Sequence, residues 1–183
     1  AMEEQQVSAE GQTRQLPAPF FVIATQNPTH QVGTFALPES QLDRFLMRIS
    51  LGYPNLAAER QLLQNGGRRQ IAAPNCLSAE QLASLQAAVK KIHVADVILD
   101  YVQALIAYSR NTPHFNAGLS PRAGLGLLQA ARAHAFLCRR GMVIPEDIQA
   151  VLPAVGIHRV LPSQQHTAGD SVMQAWIKAV PVP

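Results

Sequence analysis

Apolar positions follow two regimes along the chain. Before residue 53 they come in short runs, and after residue 77 they recur at helical spacing. Phe20-Phe21-Val22-Ile23-Ala24-Thr25 is aromatic and β-branched at successive positions. That pattern predicts a strand buried on both faces of a parallel sheet. Gln26-Asn27-Pro28 stops it. A polar loop follows, then a short helical segment ending in Leu42-Asp43-Arg44-Phe45. Residues 46–51 form a second apolar run and predict a second strand. Ahead of both, residues 7–16 predict a hairpin around Glu10-Gly11, with Gly11 supplying the positive φ of a tight turn.

Tyr53-Pro54 closes the second run, and residues 54–64 read as a helix stopped by Gly66-Gly67. Residues 66–77 read as a linker. Ser78-Ala79-Glu80-Gln81 is a capping box, with Leu77 and Leu82 placed as its hydrophobic staple. Leu82, Leu85, Val89 and Ile92 continue that helix. Asp96 is expected to cap the next one, whose apolar face is Ile98, Tyr101, Val102, Leu105 and Ile106. Ser120-Pro121 is an N-cap followed by proline at the first helical position, where the absent N–H costs nothing. That helix carries Leu125, Leu128, Ala131, Ala135 and Cys138, and Gly141 is expected to end it. Pro145-Glu146-Asp147 opens another behind Ile144, a poor cap that forgoes about 0.5–2 kcal/mol against Ser or Thr. Residues 170–180 predict one more helix. The chain thus divides into an α/β part over 1–53, a connecting helix and linker over 54–77, and an all-helical part over 78–183.

Composition narrows the classes. Hydrophobic residues make up 48% of the 183 and charged residues 15%, which builds a core and argues against disorder. The net charge of +3 is spread over pairs such as Arg68-Arg69, Lys90-Lys91 and Arg139-Arg140. A nucleic-acid surface has a denser basic stripe and more aromatics than six Phe and one Trp. Cys76 and Cys138 lack a CxxC or histidine partner and read as buried, reduced thiols of a cytosolic protein. No apolar run reaches the ~18 residues of a membrane span. Histidines 30, 93, 114, 134, 158 and 166 show no HxxxH or HxH spacing, so no metal site is expected.

Three residues are candidates for chemistry. Asn27 sits where an apolar strand ends, the place where open α/β sheets bind ligands. Its amide can hold a water or a phosphate oxygen; on position alone the plainer reading is that Asn27-Pro28 is only a turn. Arg44 closes a short helix, where a cation is favoured and Asp43 can pair with it. Arg48 alternates with Met47 and Ile49 and reads as an outward strand residue. Arg122 falls in the first turn of a helix, beside free N–H groups and the positive dipole end. A cation there is locally unfavourable, and a bound phosphate would resolve the conflict. The sequence contains no GxxxxGK[ST] and no apolar strand ending in Asp-Glu.

At these residues the chain resembles the MoxR family of AAA+ ATPases. AMEEQQVSAEGQTRQLPAPFFVIATQNP is similar to the segment after the family's Walker B strand, comprising a helix end, a hairpin and the sensor 1 strand. LPESQLDRFLMRISLGYP resembles its arginine-finger segment. SPRAGLGLLQAARAHAFLCRRGMVIPEDIQAVLPAVGIHRVL resembles its sensor 2 helix and the rest of its lid. Magnesium chelatase ATPase subunits and MCM helicases share this layout and match the wording less well. The resemblance implies a fragment of a P-loop AAA+ α/β core followed by a helical-bundle lid. It implies Asn27 as sensor 1, Arg44 as an arginine finger reaching the neighbouring subunit, and Arg122 as sensor 2, acting in cis or in trans. It implies ATP and Mg²⁺ in the full-length protein and a head-to-tail ring of about six subunits. Chaperone-like remodelling of client proteins, often ones with von Willebrand A domains, and a cytoplasmic location go with it. The Walker motifs are expected ahead of Ala1, so the chain alone is expected not to hydrolyse ATP. Two rivals are a DNA-translocating relative, against which the single Arg14 and acidic Glu4 and Glu10 around the hairpin argue, and a non-catalytic adaptor.

Overall fold

A computed structural model describes residues 4–26, 37–66, 76–162 and 169–183. Asn27, the loop after it and most of the linker lie outside the described residues. The hairpin forms as expected, with β1 (Gln6–Ala9) antiparallel to β2 (Gln12–Gln15). Glu10 and Gly11 both take positive φ, 52° and 77°, the twist that suits a two-residue connection.

Neither apolar run forms a strand. Residues 20–25 and 46–51 pair with no strand among the described residues. Phe21 and Ile23 are 69% and 78% exposed, and Ile49 and Leu51 are 71% and 91% exposed. A strand of a parallel sheet is stabilised by a ladder on each side and cover on each face. Without a partner ladder the pattern alone does not hold these residues in a sheet.

The helices follow the sequence more closely. α1 (Glu39–Leu42) is one turn long, and α2 (Leu56–Gln64) starts at Asn55, whose side chain accepts Ala58 N–H at 2.9 Å. α3 (Ala79–Lys90) carries the capping box in full: Ser78 Oγ accepts Gln81 N–H at 3.2 Å and Gln81 Oε1 accepts Ser78 N–H at 2.8 Å. α3 buries no residue of its own, and Leu77 is 51% exposed, so the expected staple is an open contact. α4 (Asp96–Asn111) begins one residue earlier than expected: Ala95 is its cap position, and Asp96 is the first helical residue, where its charge still favours the dipole.

β3 (Phe115–Ala117) and β4 (Leu161–Pro162) form a small antiparallel pair that the sequence pattern did not announce. α5 (Pro121–Leu137), α6 (Pro145–Gly156) and α7 (Gly169–Ala179) complete the bundle. α5 and α6 pack against each other most extensively. Among the described residues the buried apolar core runs from Ile92 to Val180, with Leu105, Leu127, Ile148, Leu152 and Trp176 at its centre. Trp176 Nε1 donates to Leu105 O at 3.1 Å, and its ring meets Phe115 edge-on at 5.1 Å, so α7 is fixed both polarly and by stacking.

α5 ends before Gly141. Arg139 takes the left-handed conformation at φ +59°, Arg140 N–H reaches Ala135 O at 2.9 Å, and Arg139 N–H reaches Phe136 O at 2.9 Å. That is a Schellman closure with arginine where glycine is usual. It also explains the cysteines. Cys138 caps the helix beyond its buried stripe and is exposed, as is Cys76, so the expectation of buried thiols is corrected. Ile144 caps α6 with no side-chain acceptor. In its place the buried Asp147 accepts Ile144 N–H at 2.9 Å and His134 Nδ1 at 2.6 Å, and also pairs with Arg140. One carboxylate thus joins the start of α6 to the end of α5.

Candidate functional site

The short helix α1 has no side-chain cap at its start, so local forces hold the turn after it weakly. Long-range contacts hold it instead, and they converge on Asp43. Its carboxylate accepts Ser120 Oγ at 3.1 Å, Arg122 Nη1 at 3.2 Å and Arg159 Nε at 3.0 Å. Ser120 does two jobs with one hydroxyl, donating to Asp43 and accepting Ala123 N–H at 3.1 Å as the N-cap of α5.

The loop that delivers Ser120 is fixed from behind by α4. The buried Ser109 hydroxyl donates to Ile106 O at 2.7 Å and accepts Leu119 N–H at 3.0 Å, and Arg110 Nε donates to Leu119 O at 2.9 Å. Gly118 is required there, because a Cβ would lie 2.7 Å from Ser109 O. Arg122 is therefore the second helical residue of α5, with 44% of its side chain exposed, and its place is set by α4, the cap and Asp43 together.

The end of α6 contributes most to the turn. Arg159 is only 4% exposed. Besides Asp43 Oδ1 it donates to Asp43 O at 3.2 Å, to Leu46 O at 2.9 Å, to Phe45 O and to Val155 O. His158 Nε2 donates to Phe45 O at 3.0 Å, and Arg48 N–H reaches back to Ala154 O at 2.8 Å. Gly126 on α5 gives Leu46 room, since a Cβ there would stand 3.2 Å from Leu46 Cδ1.

Charges in the cluster shift accordingly. Burial pushes the Asp43 carboxyl up, but the Ser120 hydroxyl and the Arg159 and Arg122 guanidinium groups outweigh it and hold the pKa below its ordinary value. Burial pushes His158 down, and the neighbouring Arg159 and Arg48 charges add to that. Because a carbonyl oxygen only accepts, His158 carries a proton on Nε2, facing Phe45 O.

Of the residues singled out in the sequence, Arg44 stands exposed on this turn, between residues whose carbonyls are all engaged. Arg122 is brought to the side chain of Asp43, the chain neighbour of Arg44. Asn27 lies outside the described residues. The conflict read at Arg122 has a compensation that the sequence hid: Asp43 supplies the negative charge, from a position 79 residues away. Arg48 is exposed and lies in no strand. Among the described residues no three His, Cys, Asp or Glu side chains group as metal ligands. Sequence reasoning passed over Arg159; it gave Asp43 only Arg44 as a partner, where the carboxylate takes Ser120, Arg122 and Arg159, and gave Asp147 only a place at the start of a helix. Arg159 follows the end of a helix, where a cation is ordinary, and its partners in the turn lie more than a hundred residues away.

Chemically the cluster sets the exposed Arg44 and Arg122 near the start of α5, with the Asp43 carboxylate already engaged by Ser120, Arg122 and Arg159. The sequence holds no glycine-rich GxxxxGK[ST] loop beside it.

Comparison with known proteins agrees with this layout. Residues 1–47 match the model of the ATPase family associated with various cellular activities (AAA), and residues 107–176 match that of the AAA lid domain. The chain is 36% identical to the uncharacterized protein YeaC of Bacillus subtilis over all of its own length and 59% of that protein. It is 37% identical to the chaperone MoxR1 of Mycobacterium tuberculosis, over 87% of the chain and 45% of that protein. The protein MoxR of Methylorubrum extorquens is 31% identical over 87% of the chain and 52% of its own length. A solved candidate ATPase from Cytophaga hutchinsonii superimposes with a TM-score of 0.87 at 27% identity, over the whole chain and 60% of that structure. The chain therefore spans about half the length of the relatives it matches. Over the matched residues the chain is thus part of an AAA+ core followed by a helical lid.

Proposed function

Because the chain belongs to the MoxR family of AAA+ ATPases, we propose that the full-length protein couples ATP hydrolysis to chaperone-like remodelling of partner proteins. Arg44 acts as an arginine finger on the nucleotide of the neighbouring subunit. Arg122, joined to the same turn through Asp43, contacts phosphate from the start of α5. Asn27 orients the attacking water in its own subunit. The observation that carries this reading is the ion pair of Arg122 with Asp43, the chain neighbour of Arg44. Two arginines on one edge suit one anionic partner better than two separate ones.

ATP with Mg²⁺, when bound, supplies the scissile phosphoanhydride and the metal's charge neutralisation. Arg44 and Arg122 are the groups of this chain that would meet its phosphates. A finger in trans requires a head-to-tail ring, for which six subunits is the family pattern, roughly as in other closed assemblies. The clients are proteins such as those with von Willebrand A domains, and the work takes place in the cytoplasm. This chain alone does not turn ATP over, since it has no GxxxxGK[ST] loop.

The test is Arg44→Ala in the full-length protein. Hydrolysis should fall about 10³–10⁵-fold while nucleotide binding stays within a few fold of wild type. Turnover near wild type would show that Arg44 is not the finger.

A further inference from the structure

We infer that Arg159 is a positioning residue for Arg44, so that the helical part of the chain sets where that arginine stands. The inference rests on reading Arg44 as the finger. It starts from what the turn lacks. α1 is four residues long and uncapped, and residues 46–51 join no ladder among the described residues. Locally, a single turn of main-chain bonds steadies the backbone around Arg44 (Asp43 N–H to Glu39 O, Arg44 N–H to Gln41 O, Phe45 N–H to Leu42 O), and a lone turn needs outside support to stay rigid.

Arg159 supplies that rigidity from 116 residues away. Four of its five contacts go to the turn: the carboxylate and carbonyl of Asp43 before Arg44, and the carbonyls of Phe45 and Leu46 after it. The fifth, to Val155 O, ties the same guanidinium to α6. The flat, five-donor fork suits this bracketing, and a lysine ammonium with three donors on a flexible stem does not. Its 4% exposure shows that the group serves the interior of the contact, and Asp43 offsets the cost of burying it. A cation placed only to satisfy the end of α6 would not need the carbonyls on both sides of Arg44. His158 reinforces the bracket at Phe45 O.

A misplacement of about 1 Å at a reacting group can cost ~10²-fold in rate. The full-length protein is therefore compared as wild type, Arg159→Gln, Arg44→Ala and the double variant. Arg159→Gln should lower kcat by about 10²-fold with the nucleotide KM nearly unchanged. The double variant should be no slower than Arg44→Ala, because a positioning residue has nothing to position once the finger is gone. A wild-type kcat in Arg159→Gln overturns the inference and leaves the finger reading intact. A further, multiplicative loss in the double variant also overturns it, since that marks a purely structural role. If Arg44→Ala itself turns over like wild type, the finger reading fails and this inference fails with it. Should Arg159→Gln not fold, Arg159→Lys keeps the charge and loses the fork; a reduced kcat at unchanged KM is expected, and a wild-type kcat overturns the proposal.

Discussion

Arg139 holds the position where α5 turns off, at φ +59°. A side chain there strains the backbone, and glycine does not. Arg139→Gly should raise the stability of the protein by about 1 kcal/mol, read as a higher denaturation midpoint. The sequence pointed to Gly141 instead, because glycine is the usual signal and an arginine in the left-handed region leaves no mark in a sequence. Asp147 is the opposite case. Its identity as the third residue of a helix was legible, but its burial was not. His134 and Arg140 come to it only once α5 and α6 pack. Asp147→Ala leaves Ile144 N–H without its acceptor, and that loss alone should cost roughly 1–3 kcal/mol. Asp147→Asn, which keeps an acceptor, should recover part of it. Equal melting points for the two variants would show that the capping contact contributes nothing.

The helices were legible because their signals are local: the capping box at Ser78, the Ser120-Pro121 start, the apolar spacing of α4. The two apolar runs were misread as strands because a strand is defined by its neighbours, which no run of residues contains. The junction between the end of α6 and the turn 43–48 was illegible for the same reason. It also carries a histidine whose titration responds to mild acid. His158 has a lowered pKa in the folded protein, so the unfolded chain binds its proton first. The stability it contributes is complete above the ordinary value of 6.5 and is lost as pH falls through the folded value. Thermal denaturation across mild acid should show this decline in wild type and lose that component in His158→Gln. Identical profiles would place the pH dependence elsewhere.

Across the whole molecule the buried core and the candidate chemistry occupy different parts. The core lies between Ile92 and Val180, whereas Arg44 stands on an exposed turn fastened to that core through Asp43, His158 and Arg159. Among the described residues no helix is long and apolar enough to cross a membrane. In the proposed ring this fastening makes each subunit's helical part answer to the nucleotide next door, while Asn27 answers to its own. Two substitutions separate those roles. On the proposed roles, Asn27→Ala should damage the subunit's own site and keep its finger, and Arg44→Ala should do the reverse. Each full-length variant alone should be nearly inactive. Co-expressed and co-assembled in equal amounts, they should regain roughly a quarter of wild-type hydrolysis, the share of interfaces in a head-to-tail ring that pair an intact site with an intact finger. A mixed assembly no more active than the two variants measured apart would contradict a finger acting between subunits.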